Sequence, residues 1–243
     1  MGQLTALKKI YSGPRDAQGR PLFPGFSPGG EADAGGWAPW IVGRDREQSS
    51  HFGFGTQFFK NMVYSDAQWD YRTFDLERDM KAADEKMEPI LNSNNPDLRP
   101  FLKRGGKLIL YHGWCDAAIP AESTIGYYQS VVRKIGARAT RSGVRLFMAP
   151  DVQHCGGGAG PNVFGQGGPT AGADAAADIG AALDRWVEQG VAPERSVAAR
   201  RSDGKVERTR PLCAYPAVAR WKGAGSTGDA ANFECALTTT RRR

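Results

Sequence analysis

From residue 105 onward, short apolar runs alternate with apolar positions at helical spacing. Lys107 to Tyr111 (KLILY) lies between Gly105-Gly106 and Gly113, which predicts a strand buried on both faces. Ile125, Tyr128, Val132 and Ile135 then recur at helical spacing, predicting a helix from near Ala121 to Gly136. Val144 to Met148 (VRLFM) predicts a second buried strand. A third helix carries Ile179, Leu183, Trp186 and Val187 on one face and ends at Gly190 and Pro193. Polar loops follow both strands: His112-Gly113-Trp114-Cys115-Asp116 after the first, and Asp151-Val152-Gln153-His154-Cys155-Gly156-Gly157-Gly158 after the second.

The earlier part of the chain has a different texture. Leu4 to Tyr11 predicts a short helix closed by Gly13, and the prolines and glycines from Pro14 to Gly30 then break every period. Between Trp37 and Trp69 aromatics are dense (Trp37, Trp40, Phe52, Phe54, Phe58, Phe59, Tyr64, Trp69) but keep no period for long, which predicts an irregular cap. Asp75 to Ile90 predicts a charged helix, and Asp97 caps a second short one running to Lys103 and closed by Gly105.

A strand–helix–strand crossover returns its second strand parallel to the first. Both polar loops therefore leave the same sheet edge. If the strands are neighbours they lie ~5 Å apart, and a carboxylate in one loop can orient an imidazole in the other. Ligand chemistry in such sheets gathers at that edge. His154 is then a candidate general base and Asp116 the carboxylate that sets its tautomer. A lone loop histidine is more often structural, but here an aspartate and a histidine both follow buried strands. His112 is too close to Asp116 to be oriented across the crossover, and reads as a pocket wall or a substrate hydrogen-bond donor.

The nucleophile is the gap in this constellation. Gly25-Phe26-Ser27-Pro28-Gly29 is a literal G-x-S-x-G, yet that motif needs a buried strand before the serine and a helix after it. Ser27 is surrounded by Pro21, Pro24 and Pro28 instead. Cys115 and Cys155 adjoin Asp116 and His154 in sequence and so point away from the site; structural sulfur is the expected role.

Composition narrows the function classes. The net charge of +6 is concentrated at Arg195 to Arg210 and Arg241, Arg242 and Arg243, which read as solvated loops and a frayed tail. Nucleic-acid binding would need interleaved aromatics or a known module there, and neither is present. No apolar run approaches the ~20 residues of a membrane span, and Gly2, Gln3 and Leu4 do not open an export signal. The four cysteines (Cys115, Cys155, Cys213 and Cys235) have no metal-ligand spacing and suggest disulfides, hence an oxidising compartment. Disulfides without an export signal lead us to expect that the start of the protein is missing. The pattern sets no oligomeric state.

The chain resembles the tannase and feruloyl esterase family. The resemblance rests on Asp97-Leu98, Gly105 through Asp116 (GGKLILYHGWCD), Tyr127-Tyr128, Arg145-Leu146-Phe147, His154 through Gly158 (HCGGG) and Gly160-Pro161-Asn162. It extends to Lys9-Ile10-Tyr11, Gly13-Pro14, Pro24-Gly25, Gly36-Trp37 and Asp70 to Asp79. It implies an α/β fold: the C-terminal part of an α/β-hydrolase sheet with helices on both faces, preceded by part of an irregular lid domain. Residues 1–96 would be the partial lid and residues 97–243 the catalytic part.

The resemblance further implies a serine esterase of aromatic-acid esters in which Asp116 and His154 serve a serine lying upstream of these residues. The family's lid calcium site lies upstream too, and no cofactor is expected here. Cys213 and Cys235 match a disulfide pair. Cys155 matches a cysteine bonded to one beside the nucleophile, and Cys115 departs from the family as a free thiol or a substitute partner. Trp37, Phe58 and His112 are candidates for gripping an aromatic acyl group. The intact protein would be secreted or periplasmic, with a small aromatic ester as its partner and neither nucleic acid nor membrane. Two rival readings are an inactive remnant and a module that binds aromatic esters without cleaving them.

Overall fold

A computed structural model describes residues 2–167 and 174–237; Arg241, Arg242 and Arg243 lie outside them. Strands β1 (Leu108–Gly113) and β2 (Val144–Ala149) form a parallel pair, in register from Leu108 opposite Val144 to Gly113 opposite Ala149. Helix α5 (Ala121–Ile135) and a short α6 (Ala137–Gly143) make the crossover between them. Gly136 ends α5 at φ 88°, with its N–H on the Val132 carbonyl.

Side chains along a strand alternate between faces. Ile109, Tyr111, Phe147 and Ala149 pack on one side with Phe164 and with Ile179 of α7 (Ile179–Gln189). Leu108, Leu110, Val144, Leu146 and Met148 pack on the other with Ile125 and Tyr128 of α5. Helices thus cover both faces, as expected of an α/β sheet. Val144, Leu146 and Phe147 are wholly buried, each contributing about 2 kcal/mol by removing apolar surface from water. Leu108 to Tyr111 are only half-buried, because β2 is the one ladder partner of β1 among the described residues.

In α7 the buried stripe is Ile179, Ala182 and Trp186, while Val187 faces solvent. This corrects the expected face: one residue beyond Trp186 the helix has turned roughly 100° away. Asp178 caps its start by accepting the Ala181 N–H, and Gly190 in the left-handed region ends it.

The first ninety residues are helical and irregular. Helix α1 spans Gly2–Ser12, α2 spans Ser50–Gln57 and α3 spans Leu76–Leu91, with π-helical turns at Ala38–Val42 and Phe58–Val63. Asp75 caps α3 by accepting the Arg78 N–H. Ala83 and Met87 of α3 pack with Val63, Phe58, Phe59 and Tyr64. Within this cluster Asp79 is wholly buried and accepts from Arg78, the Tyr64 hydroxyl and the Asp75 N–H. The Arg78 guanidinium holds that carboxyl well below the usual range. Helix α4 (Arg99–Lys103) leads into β1.

Arg195 to Arg210 form a hairpin rather than the expected loops. Strands β3 (Arg195–Ser202) and β4 (Lys205–Cys213) pair antiparallel about Asp203-Gly204, both at positive φ (48° and 75°) as a two-residue hairpin turn requires. The inward positions of β3 are Ser196 and Ala198, wholly buried but small. Their side chains carry no apolar alternation. Arg210 packs over the Phe233 ring at 4.1 Å. A second antiparallel pair, β5 (Ala217–Trp221) and β6 (Phe233–Leu237), is tied to β4 by a Cys213–Cys235 disulfide.

Candidate active site

The two polar loops meet at the carboxyl end of β1 and β2. Beyond the ladder the chains stay joined, with the Trp114 N–H on the Ala149 carbonyl (2.9 Å) and the Cys115 N–H on the Val152 carbonyl (3.1 Å). A Cβ at Gly113 would sit 2.1 Å from the Val152 oxygen, so only glycine permits this approach. In the second loop Asp151 and Cys155 hold φ 55° and 62°, and Gly158 holds φ 96° with no room for a side chain against the Asp151 carbonyl. These turns bring His154 back over the first loop.

His154 Nδ1 lies 2.9 Å from Asp116 Oδ2. Asp116 is 6% exposed. Its Oδ1 accepts the Ala118 N–H (2.7 Å) and the Ile119 N–H (2.9 Å). Burial pushes the Asp116 carboxyl up, but hydrogen bonds from His112, His154 and those two N–H groups outweigh it and bring it down to about 2. Ionised at neutral pH, the carboxylate can only accept. His154 Nδ1 therefore carries a proton and donates it, leaving the Nε2 lone pair of the neutral ring available to take a proton. Among the described residues no serine, threonine or cysteine hydrogen-bonds His154 Nε2. Ser27 lies in irregular chain with neither a strand before it nor a helix after it.

A hollow of about 410 Å³ opens beside His154, lined by Trp40, His51, Phe54, Gly55, Ala118 and Ile119. Trp40 is its centre: its ring lies edge-on to His154 (centroids 5.1 Å apart, planes at 73°) and stacks on Phe54 (6.2 Å, 14°). His51 is held by an Nε2–H hydrogen bond to the Ala117 carbonyl at 2.9 Å. No lysine, arginine, aspartate or glutamate lines this hollow among the described residues.

Three residues expected to grip an acyl group are placed elsewhere. Trp37 packs on Tyr11 of α1 with centroids 5.4 Å apart. Phe58 belongs to the cluster around Val63, Ala83 and Met87. His112 is buried behind Asp116, with Nδ1 at 2.6 Å from Thr124 Oγ1 and Nε2 at 3.0 Å from the Ile119 carbonyl. Asp116 and His154 are brought together; these three are not among the walls of the hollow. Trp40 and Phe54 carry the same chemistry as Trp37 and Phe58 in an aperiodic stretch, and nothing in the local pattern separates them.

Both remaining cysteines are free thiols, Cys115 buried and Cys155 exposed. Cys115 lies beneath Gly29 and Gly30. Burial, together with the charges of Asp151, Asp33 and Glu31, pushes its thiol up to about 11. It is therefore inert as a nucleophile at neutral pH. No group of three or more His, Cys, Asp or Glu side chains could hold a metal ion among the described residues, and no helix there is long and apolar enough to cross a membrane.

Comparison with known proteins places the chain in a family. The family model described as tannase and feruloyl esterase matches residues 1–236. An uncharacterized esterase of Xanthomonas campestris is 38% identical, over 96% of this chain and 45% of its own length. A mono(2-hydroxyethyl) terephthalate hydrolase of Piscinibacter sakaiensis is 31% identical, over 96% of this chain and 41% of its own. Among solved structures, feruloyl esterase B from Aspergillus oryzae superposes with a TM-score of 0.84 at 30% identity, covering 96% of this chain and 45% of that one. The chain spans less than half the length of each of these relatives. It belongs to the tannase and feruloyl esterase family.

Proposed function

We propose that this chain carries the acid and base of a serine carboxylic-ester hydrolase acting on esters of aromatic acids. The observation that supports this most is the hydrogen bond from His154 Nδ1 to the buried, ionised Asp116. In the proposed mechanism His154 Nε2 takes the proton of a serine hydroxyl as the serine attacks the ester carbonyl. The imidazolium, stabilised by Asp116, returns that proton to the leaving alcohol. Water, deprotonated in turn by His154, releases the acyl group from the serine. The serine comes from outside the described residues, as the family resemblance implies. Residues 1–96 act as the partial lid and residues 97–243 as the catalytic part. A lining of Trp40, Phe54 and Ile119 without formal charge suits a neutral aromatic group. The Cys213–Cys235 bridge suits a secreted or periplasmic protein.

The test is release of an aromatic acid from its methyl ester, by the 243-residue chain alone and by the chain joined to the part of the Xanthomonas relative that it does not cover. The expected result is turnover by the joined protein, lost on His154→Ala and kept on Ser27→Ala, with none by the shorter chain. Turnover indifferent to His154→Ala would overturn the assignment. A second reading, an aromatic-ester binding module, is favoured by the lack of a hydroxyl at His154 Nε2 among the described residues. Saturable binding of the ester with no turnover in either protein would select it.

A further inference from the structure

His112 is buried, 9% exposed, and the mechanism above leaves it without a task. Its surroundings determine its tautomer. Nε2 lies 3.0 Å from the Ile119 carbonyl and 3.3 Å from Asp116 Oδ2. Both neighbours are acceptors only, so Nε2 carries a proton and shares it between them. Nδ1 lies 2.6 Å from Thr124 Oγ1 in the first turn of α5. In the neutral ring Nδ1 is the acceptor, and the threonine hydroxyl donates to it. The two acceptors at Nε2 thus select the Nε2–H form of His112, and Thr124 satisfies Nδ1 and fixes the ring.

The Asp116 carboxylate is held differently at its two oxygens. Oδ1 takes two backbone N–H groups, while Oδ2 lies between two imidazoles, His112 at 3.3 Å and His154 at 2.9 Å. Without His112, the buried Oδ2 would keep His154 as its single partner, and the carboxylate could turn about the tethered Oδ1. A carboxylate that turns away no longer selects the Nδ1–H tautomer of His154, the form that presents a basic Nε2.

We propose that His112, locked by Thr124, is a positioning residue that holds Asp116 Oδ2 toward His154 and so sets the tautomer of the base. This inference rests on the reading of Asp116 and His154 as acid and base. The ordered series is Thr124 hydroxyl to His112, His112 to Asp116, and Asp116 accepting from His154. It joins the start of α5, the end of β1 and both loops.

The experiment is ¹⁵N NMR of the ring nitrogens in the full 243-residue chain, at a pH where the imidazoles are neutral. The chain has three histidines, so His51 serves as an internal control. In the unsubstituted chain His154 should be in the Nδ1–H form and His112 in the Nε2–H form. His112→Phe should move the His154 Nδ1 resonance from the protonated toward the unprotonated range, with His51 unchanged. His112→Gln, which restores a donor near Nε2, should return it. Thr124→Val keeps the His112 ring and volume should the Phe variant fail to fold. It should free the His112 ring at Nδ1 and shift His154 in the same direction by less. A His154 signal unmoved by both His112→Phe and Thr124→Val overturns the proposal while leaving the acid–base pair standing. An Nε2–H form of His154 in the unsubstituted chain overturns the pair itself, and this inference with it.

Discussion

Asp116 owes its low pKa to neighbours that survive burial, and the consequence can be measured. Its folded pKa of about 2 lies below the ordinary 3.8, so folding favours the ionised form. The stabilisation is fully present above the unfolded value and is lost as pH falls through the folded one. Across that interval, from about 4 to about 2, the chain should lose on the order of 2 kcal/mol from this group. Urea denaturation as a function of pH should show the loss, and Asp116→Asn should remove that part of the slope. At the same scale, Trp40 and Trp37 should separate. Trp40→Ala should weaken binding of an aromatic ester about tenfold, the value of one aromatic contact. Trp37→Ala should leave binding unchanged and lower the melting temperature through its lost packing on Tyr11. Binding titrations and thermal melts of the two variants decide it.

At the scale of elements, the parallel pair and its crossover were legible because their apolar residues keep a period. KLILY and VRLFM mark β1 and β2, and Gly136 and Gly190 mark helix ends in the left-handed region. The β3–β4 hairpin was not legible. The buried positions of β3 are Ser196 and Ala198, those of β4 lie together at its end (Pro211, Leu212 and Cys213) without alternation, and so the one local signal was Asp203-Gly204. Val187 failed for a related reason: an apolar residue beside a buried stripe need not share it. The loops at the carboxyl edge depend on a backbone contact that a Cβ would forbid. Gly113→Ala should therefore displace the Val152 carbonyl and destabilise the chain by about 1 to 3 kcal/mol. Chemical denaturation gives that number, and the His154 ring signals should shift with it.

At the scale of the whole molecule, the Cys213–Cys235 disulfide and the Asp116–His154 hydrogen bond are expected to respond independently. Cys213–Cys235 closes a span of 22 residues between β4 and β6, and a bridge of that length is worth about 3 kcal/mol. Reduction, or Cys213→Ser with Cys235→Ser, should lower stability by that amount while the His154 and His112 ring signals stay in place. Coupled loss of both would show that the C-terminal strands support the loops.

The sequence alone determined the α/β order, the two loops that carry Asp116 and His154, and the cysteine pair that bonds. Each is written in local periods, in residue types at fixed places or in a family's motif, and such signals survive without coordinates. Only the tertiary structure decided which aromatics face His154 and where the His112 ring points. Trp40 rather than Trp37 lines the hollow because of how an aperiodic segment folds over the sheet edge. His112 turns inward because Thr124, Ile119 and Asp116 meet around its ring from helix α5 and the loop before it. Hydrogen bonds made by convergence across elements leave no period in the chain, so they become visible only once the elements are packed.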